Sequence, residues 1–196
     1  MPTEYEARVL DIDPAATAEL ILAKGGQRGR EAFMRRHVYD INPNDPTTWI
    51  RLRDTGAEVT MTVKEIAHDG IDGTHETEIT VDDFDTTNRL LGKLGFTPKS
   101  YQENHRASFT LDGAQLEIDT WPLIPPYLEI EADSRDHVVQ VAALLGYGET
   151  QLTGENTIKI FARHGIDLNS TPELRFPPAA RKTARRTPRP ARRPVP

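Results

Sequence analysis

Glu4, Glu6 and Arg8 fall at alternate positions in the opening stretch TEYEARVL. Alternate side chains of a strand share one face. Two carboxylates and a guanidinium would therefore stand together, with Tyr5, Ala7 and Val9 opposite. The E-x-E unit returns at Glu76 and Glu78 in HETEITV and at Glu129 and Glu131 in YLEIEA. Basic residues follow the same alternation: Arg51 and Arg53 in WIRLRD, Lys64 in EVTMTVKE and Arg106 in ENHRASFTL. Glu117 and Asp119 share a face of QLEIDTW. Carboxylates suit hard divalent ions such as Mg²⁺ or Mn²⁺, which also bridge to phosphates. Guanidinium and ammonium groups bind phosphate oxygens. Both signs lining one space point to a metal–triphosphate complex.

The elements that must position these residues are legible from periodicity. Alternating runs place strands near 4–10, 33–40, 47–53, 58–65, 74–81, 101–111, 114–119 and 127–132. Apolar stripes with a following glycine place helices near 14–24, 83–94 and 135–145, and a further helix is read near 155–164. One stripe is Phe84, Thr87, Leu91 and Leu94 before Gly95; another is Val138, Val141, Ala142 and Leu145 before Gly146. Asp112-Gly113 between two alternating runs is a hairpin signal. Short strand-to-strand connections favour antiparallel pairing. Eight strands can close into a barrel with room for side chains or one small ligand. Charged faces turned inward would make a polar tunnel, and the amphipathic helices would cover the apolar outside. The fold class is thus α+β.

Composition sets the surroundings. The 196 residues suffice for one substantial core, and the absence of cysteine excludes disulfides and thiolate metal sites. No apolar run approaches a membrane span and the start has no signal-peptide pattern, so the expectation is a soluble cytoplasmic protein. The net charge of −6 is unevenly divided. From Pro177 to Pro196 the chain carries seven basic residues and no acidic one, leaving 17 Lys and Arg against 30 Asp and Glu in the rest. A Pro/Arg-rich segment cannot bury a core. The reading is a folded domain over 1–170 and a disordered basic tail over 177–196, which could carry an anionic partner.

The order and spacing of these motifs resemble the CYTH domain family, the triphosphate tunnel metalloenzymes that include class IV adenylyl cyclases and thiamine triphosphatases. The resemblance runs from about Thr3 to Ile166. The family's E-x-E-x-K is here Glu4, Glu6 and Arg8; its R-x-R strand is Arg51 and Arg53, followed by Lys64. Its later basic residue, strand-ending aspartate and E-x-E are Arg106, Asp119, and Glu129 with Glu131. Lys159 lies in the last helix, where the family often places another phosphate-binding lysine. The resemblance implies an eight-stranded antiparallel tunnel. It implies metal ligands Glu4, Glu6, Asp119, Glu129 and Glu131, and phosphate ligands Arg8, Arg51, Arg53, Lys64, Arg106 and Lys159. Glu4, Glu6, Arg8 and Lys64 are the candidate catalytic set, with Glu76 and Glu78 orienting the cations. Two positions depart from the pattern. Arg8 replaces a lysine, a planar fork in place of a compact ammonium, and Asn104 stands where cyclases often have a second cation.

The reading that follows is a Mg²⁺- or Mn²⁺-dependent triphosphate hydrolase acting on tripolyphosphate, ATP or thiamine triphosphate. A class IV adenylyl cyclase is the alternative, and a non-catalytic triphosphate or polyphosphate binder is a third. A monomer or a homodimer would serve any of them. Three other features have simple structural readings. His37 and Tyr39 read as hydrogen-bonded wall positions, WPLIPPY as a rigid connection or an aromatic lip, and HDGIDGTH as a turn.

Overall fold

The computed structural model describes residues 3–178, so most of the expected tail lies outside the described residues. Eight long strands form: β1 (Thr3–Val9), β2 (Gln27–Asp40), β3 (Thr48–Asp54), β4 (Val59–Ile66), β5 (Thr74–Val81), β6 (Ser100–Leu111), β7 (Ala114–Thr120) and β8 (Tyr127–Ala132). They close in the order β1-β8-β7-β6-β2-β3-β4-β5 and back to β1. Every one of these pairings is antiparallel, so the molecule is the expected closed barrel. Asp112 and Gly113 both take positive φ in the β6–β7 turn, the conformation that a two-residue hairpin requires.

Closure is weakest between β1 and β5. Among the described residues, only Thr3 and Glu4 pair across that seam. Farther along, the Glu6 N–H donates to the Ile71 carbonyl at 2.9 Å, and the two-residue β9 (Leu152–Thr153) pairs with Arg8 and Val9. A second short strand, β10 (Glu173–Leu174), lies parallel to β6. The packed body thus continues past residue 170.

Among the described residues, four α-helices stand outside: α1 (Pro14–Ala23), α2 (Phe84–Lys93), α3 (Arg135–Leu144) and α4 (Thr157–Arg163). Asp13, Asp83, Ser134 and Asn156 cap their N-termini by accepting from backbone N–H groups. The apolar strand faces point outward beneath them. Ile21, Val138, Val141 and Ala142 of α1 and α3 bury Ala7, Phe109, Leu116, Leu128 and Ile130. Phe84 and Leu91 of α2 cover Tyr39, Ile50 and Leu52, while Leu94, expected on that stripe, is exposed. Ile160 and Phe161 of α4 pack with Trp121, Ile124 and Tyr127. Because Leu116 is fully buried in the largest of these clusters, Leu116→Ala should cost about 2–5 kcal/mol in a urea titration.

With the apolar faces outside, the charged faces line the barrel. No helix among the described residues is long and apolar enough to cross a membrane.

Candidate active site

A cavity of about 270 Å³ runs through the barrel, lined by eight carboxylates and six cations. Every strand contributes except β9 and β10, because each barrel strand turns alternate residues inward. Such a space is stable only when the charges are organised, since an unpaired buried ion costs several kcal/mol.

The register dictates the first set of pairs. Arg8 of β1 lies opposite Glu129 of β8, and Arg106 of β6 lies opposite Asp119 of β7. Glu129 accepts from Arg8 at 2.6 Å and from Arg106 at 3.1 Å, bridging the two guanidiniums. Burial would push the Glu129 carboxyl upward, but Arg8 and Arg106 hold it well below the usual carboxylate range. Arg106 also donates to both oxygens of Asp119, at 2.8 and 2.6 Å, and pairs with Glu117. Arg8 donates to Glu6 at 2.9 Å and to the Glu155 carbonyl at 3.0 Å.

A second set faces it from β3, β4 and β5. Arg51 donates to Glu76 at 3.2 Å and Glu78 at 3.3 Å, and Lys64 pairs with Glu76. Burial opposes ionisation of Glu76 and Glu78, but these partners, with Thr62 donating to Glu78, hold both below the usual range. Among the described residues, the carboxylate paired with Arg53 is Glu78 alone, at 3.6 Å. The neighbouring Arg51 charge, then burial, lowers Arg53 to about 10. The Nε atoms of Arg51 and Arg53 are buried without a partner among the described residues.

The remaining acids are under-compensated. Glu4 has Lys64 at 3.8 Å. Its carboxyl is pushed up to about 8, first by burial and then by Glu76, Glu6 and Glu131, with Lys64 working against the rise. Glu131, opposite Glu6 in the register, is raised by burial and by Glu129, Glu6 and Glu76. Glu4 and Glu131 are oxygen donors short of positive charge, and with their neighbour Glu6, which accepts from Arg8, they make a carboxylate set that a hard divalent ion fits. Among the described residues, no three histidine, aspartate or glutamate side chains are already drawn in around an ion position.

The tunnel continues into a narrower chamber of about 70 Å³. Val38, Trp49, Ile66, Ile158 and Leu168 supply its apolar wall, and Arg36, Arg51 and Lys64 stand where it meets the polar tunnel.

Lys159 is the candidate that the structure does not bring to the cavity. It is about half exposed, pairs with Asp69 on the turn HDGIDGTH, and is not among the cavity-lining residues. Its helix is short, and it lines the chamber with its N-terminal end, Asn156, Thr157 and Ile158, instead. All other candidates, Glu4, Glu6, Arg8, Arg51, Arg53, Lys64, Arg106, Asp119, Glu129 and Glu131, line the tunnel, together with Glu76, Glu78 and Glu117. His37 and Tyr39 are outer-wall positions. His37 stacks on Phe84 at 5.1 Å between ring centroids, and the Tyr39 hydroxyl donates to Asn88 at 3.0 Å. The Trp121 indole N–H donates to the Tyr127 hydroxyl at 2.9 Å, and both rings form part of the tunnel wall.

Arg36 is the tunnel residue that sequence reasoning misses. It is buried among Met34 and Val38, whose apolar character makes that face of β2 resemble core. The available signal is its place one residue out of phase with His37 and Tyr39.

Comparison with known proteins agrees with this geometry. The family model for the CYTH domain matches residues 2–153. No curated protein matches the chain. Among solved structures, a conserved hypothetical protein from Pyrococcus furiosus superposes with a TM-score of 0.69 at 19% identity, covering 80% of this chain and 99% of that one. A putative adenylate cyclase from Vibrio parahaemolyticus gives 0.67 at 15% identity, covering 82% and 98%. A putative adenylyl cyclase from Hippeastrum, described as having a dominant triphosphatase activity, gives 0.53 at 15% identity over 83% and 96%. These likenesses concern the fold, and the family match spans most of the chain. The chain belongs to the CYTH domain family.

Proposed function

We propose that the protein is a metal-dependent hydrolase of inorganic or organic triphosphates, using Mg²⁺ or Mn²⁺. The observation that carries this reading is the mixed charge of the tunnel, with cations short of anions on one wall and carboxylates short of cations on another. A polyanion alone needs only the first wall; a polyanion carrying a divalent ion needs both.

In this reading Arg51, Arg53, Lys64, Arg106 and Arg8 hold phosphoryl oxygens. Arg53, with its single long pairing, is the freest of them. Glu4, Glu6 and Glu131 are the principal metal ligands, while Asp119 and Glu129 keep Arg106 and Arg8 in place beside them. A divalent ion held by these carboxylates would supply neutralisation of phosphoryl charge and acidification of a nearby water. Phosphoryl transfer needs little covalent help from a protein, so positioning and electrostatics suffice. Glu6 and Glu129 fix Arg8, and Glu76 fixes Lys64, so the cations are preorganised before substrate enters.

A class IV adenylyl cyclase is the second reading, favoured by the apolar chamber with Trp49, which could receive an organic group. The larger open volume is in the polar tunnel, which favours a ligand that is mostly phosphate. One assay separates the two. The protein is incubated with Mg²⁺ or Mn²⁺ and tripolyphosphate, ATP or thiamine triphosphate. Orthophosphate is the expected product, and cyclic AMP with pyrophosphate would replace this reading by the cyclase. Tight binding without turnover would leave a triphosphate binder.

A further inference from the structure

We propose that Arg36 is a phosphate-binding residue of the tunnel, supplying from β2 the positive charge that β6 lacks at Asn104. The inference deepens the triphosphate reading and rests on it. Arg36 is 7% exposed and lines both the tunnel and the chamber beyond it. A guanidinium buried for structural reasons is normally paired with a carboxylate. Arg36 has no such pair among the described residues. One amino group donates to the Asn104 side-chain carbonyl, the flat face lies 4.5 Å over the Trp121 ring, and Nε is buried without a partner.

Its surroundings make the charge harder to keep. Arg53 is directly opposite across the β2–β3 pairing, and like charges placed so repel. Arg51 and Arg106 are also close enough to act on it. Burial, followed by these three cations, lowers Arg36 to about 9, still charged at neutral pH. The nearby Asp119 gives limited relief, because both its oxygens already accept from Arg106. The ring contact with Trp121 is a weak attraction beside the cost of a buried unpaired cation. Five guanidiniums facing one space, with Arg36 lacking a carboxylate partner among the described residues, fit an oxyanion with several charges.

Asn104 explains how the group is aimed. It is fully buried, accepts from Arg36, and donates from its amide nitrogen to Asp119 at 3.0 Å. It is a positioning residue that ties the Arg36 fork to the Arg106–Asp119 pair. Met34 sits opposite Asn104 in the register, so a cation placed at 104 would enter the same space from the next strand.

The test is calorimetric titration of tripolyphosphate into the full chain, with metal chelated, alongside thermal melts. Arg36→Met should weaken binding by about ten- to a hundredfold, the worth of a charge-assisted hydrogen bond. Arg36→Lys should recover part of the loss, and Arg36→Met with Asn104→Lys should recover most of it. The ligand-free melting temperature of Arg36→Met should stay level or rise, because a buried unpaired charge has been removed. Unchanged binding in Arg36→Met overturns the proposal, as does a lowered melting temperature or failure to fold. Absence of tripolyphosphate binding by the parent protein both with metal chelated and with Mg²⁺ present would overturn the triphosphate reading itself, which a silent Arg36 alone would not.

Discussion

Glu129→Gln should lower the free energy of unfolding by about 3–5 kcal/mol in metal-free buffer, the usual cost of breaking a buried pair from one side. Glutamine keeps the shape, so the loss measures charge. Glu129 is the common acceptor for Arg8 and Arg106, and all three side chains are buried or nearly so. Removing its charge leaves two guanidiniums facing each other with less to offset them. The pH dependence has a definite sign. Arg8 and Arg106 depress the folded-state value, so the stabilisation is fully present above the unfolded value near 4.5. It is lost as pH falls through the lower folded value. Below about pH 4.5 the parent should therefore lose stability with acid, and the variant should lose less over the same range. Urea titrations at pH 7 and at successively lower pH measure both effects. If Glu129 acted solely as a metal ligand, the metal-free variant would be as stable as the parent, and that outcome would remove the bridging role. Turnover should also fall, because Arg8 and Arg106 lose their fixed positions.

The inner faces of β1, β3, β4, β7 and β8 were readable because polar or charged residues alternate with apolar ones there. β2 was harder. Arg35 and Arg36 are adjacent, so each face of the strand holds one arginine and alternation alone does not choose between them. Packing chooses: His37 and Tyr39, read as wall positions, meet Phe84 and Asn88 of α2. Arg36 is left facing inward. Lys159 shows a different limit. Helical spacing places it on a face but does not say which neighbour that face meets, and Asp69 of a distant turn takes it. β9 and β10 are two residues each, too short to show a period, and they exist because β1 and β6 offer free edges. What alternation could not give was the division of labour among the acids. That division depends on which carboxylate lies opposite which cation, a property of register.

Glu4→Gln should produce the opposite pattern from Glu129→Gln: a large loss of metal-dependent function with no loss of metal-free stability. Glu4 sits among Glu6, Glu76 and Glu131 with Lys64 at 3.8 Å, and its carboxyl is pushed up to about 8. A raised folded-state value means that its contribution to stability is fully present below the unfolded value near 4.5. It is lost as pH rises through about 8, because ionising Glu4 in this company is unfavourable. The metal-free parent should thus melt at progressively lower temperature as pH is raised toward 8, with the decline levelling off beyond it, and Glu4→Gln should flatten that decline. Added Mg²⁺ should raise the melting temperature of the parent most at the alkaline end, where the ion meets an ionised carboxylate without displacing a proton. The variant should gain much less from Mg²⁺. Its turnover should fall by more than about a hundredfold, since even residues that merely support a metal ligand are worth ten- to a hundredfold. Melting curves from pH 6 to 9, with and without Mg²⁺, test the electrostatics independently of any substrate. A parent whose melting temperature ignores both Mg²⁺ and pH in that window would sink the metal assignment of the Glu4 wall. Intact Mg²⁺-dependent turnover in the variant would move the ion toward Glu131, the other carboxylate that the barrel's cations leave under-compensated, and its cross-strand neighbour Glu6.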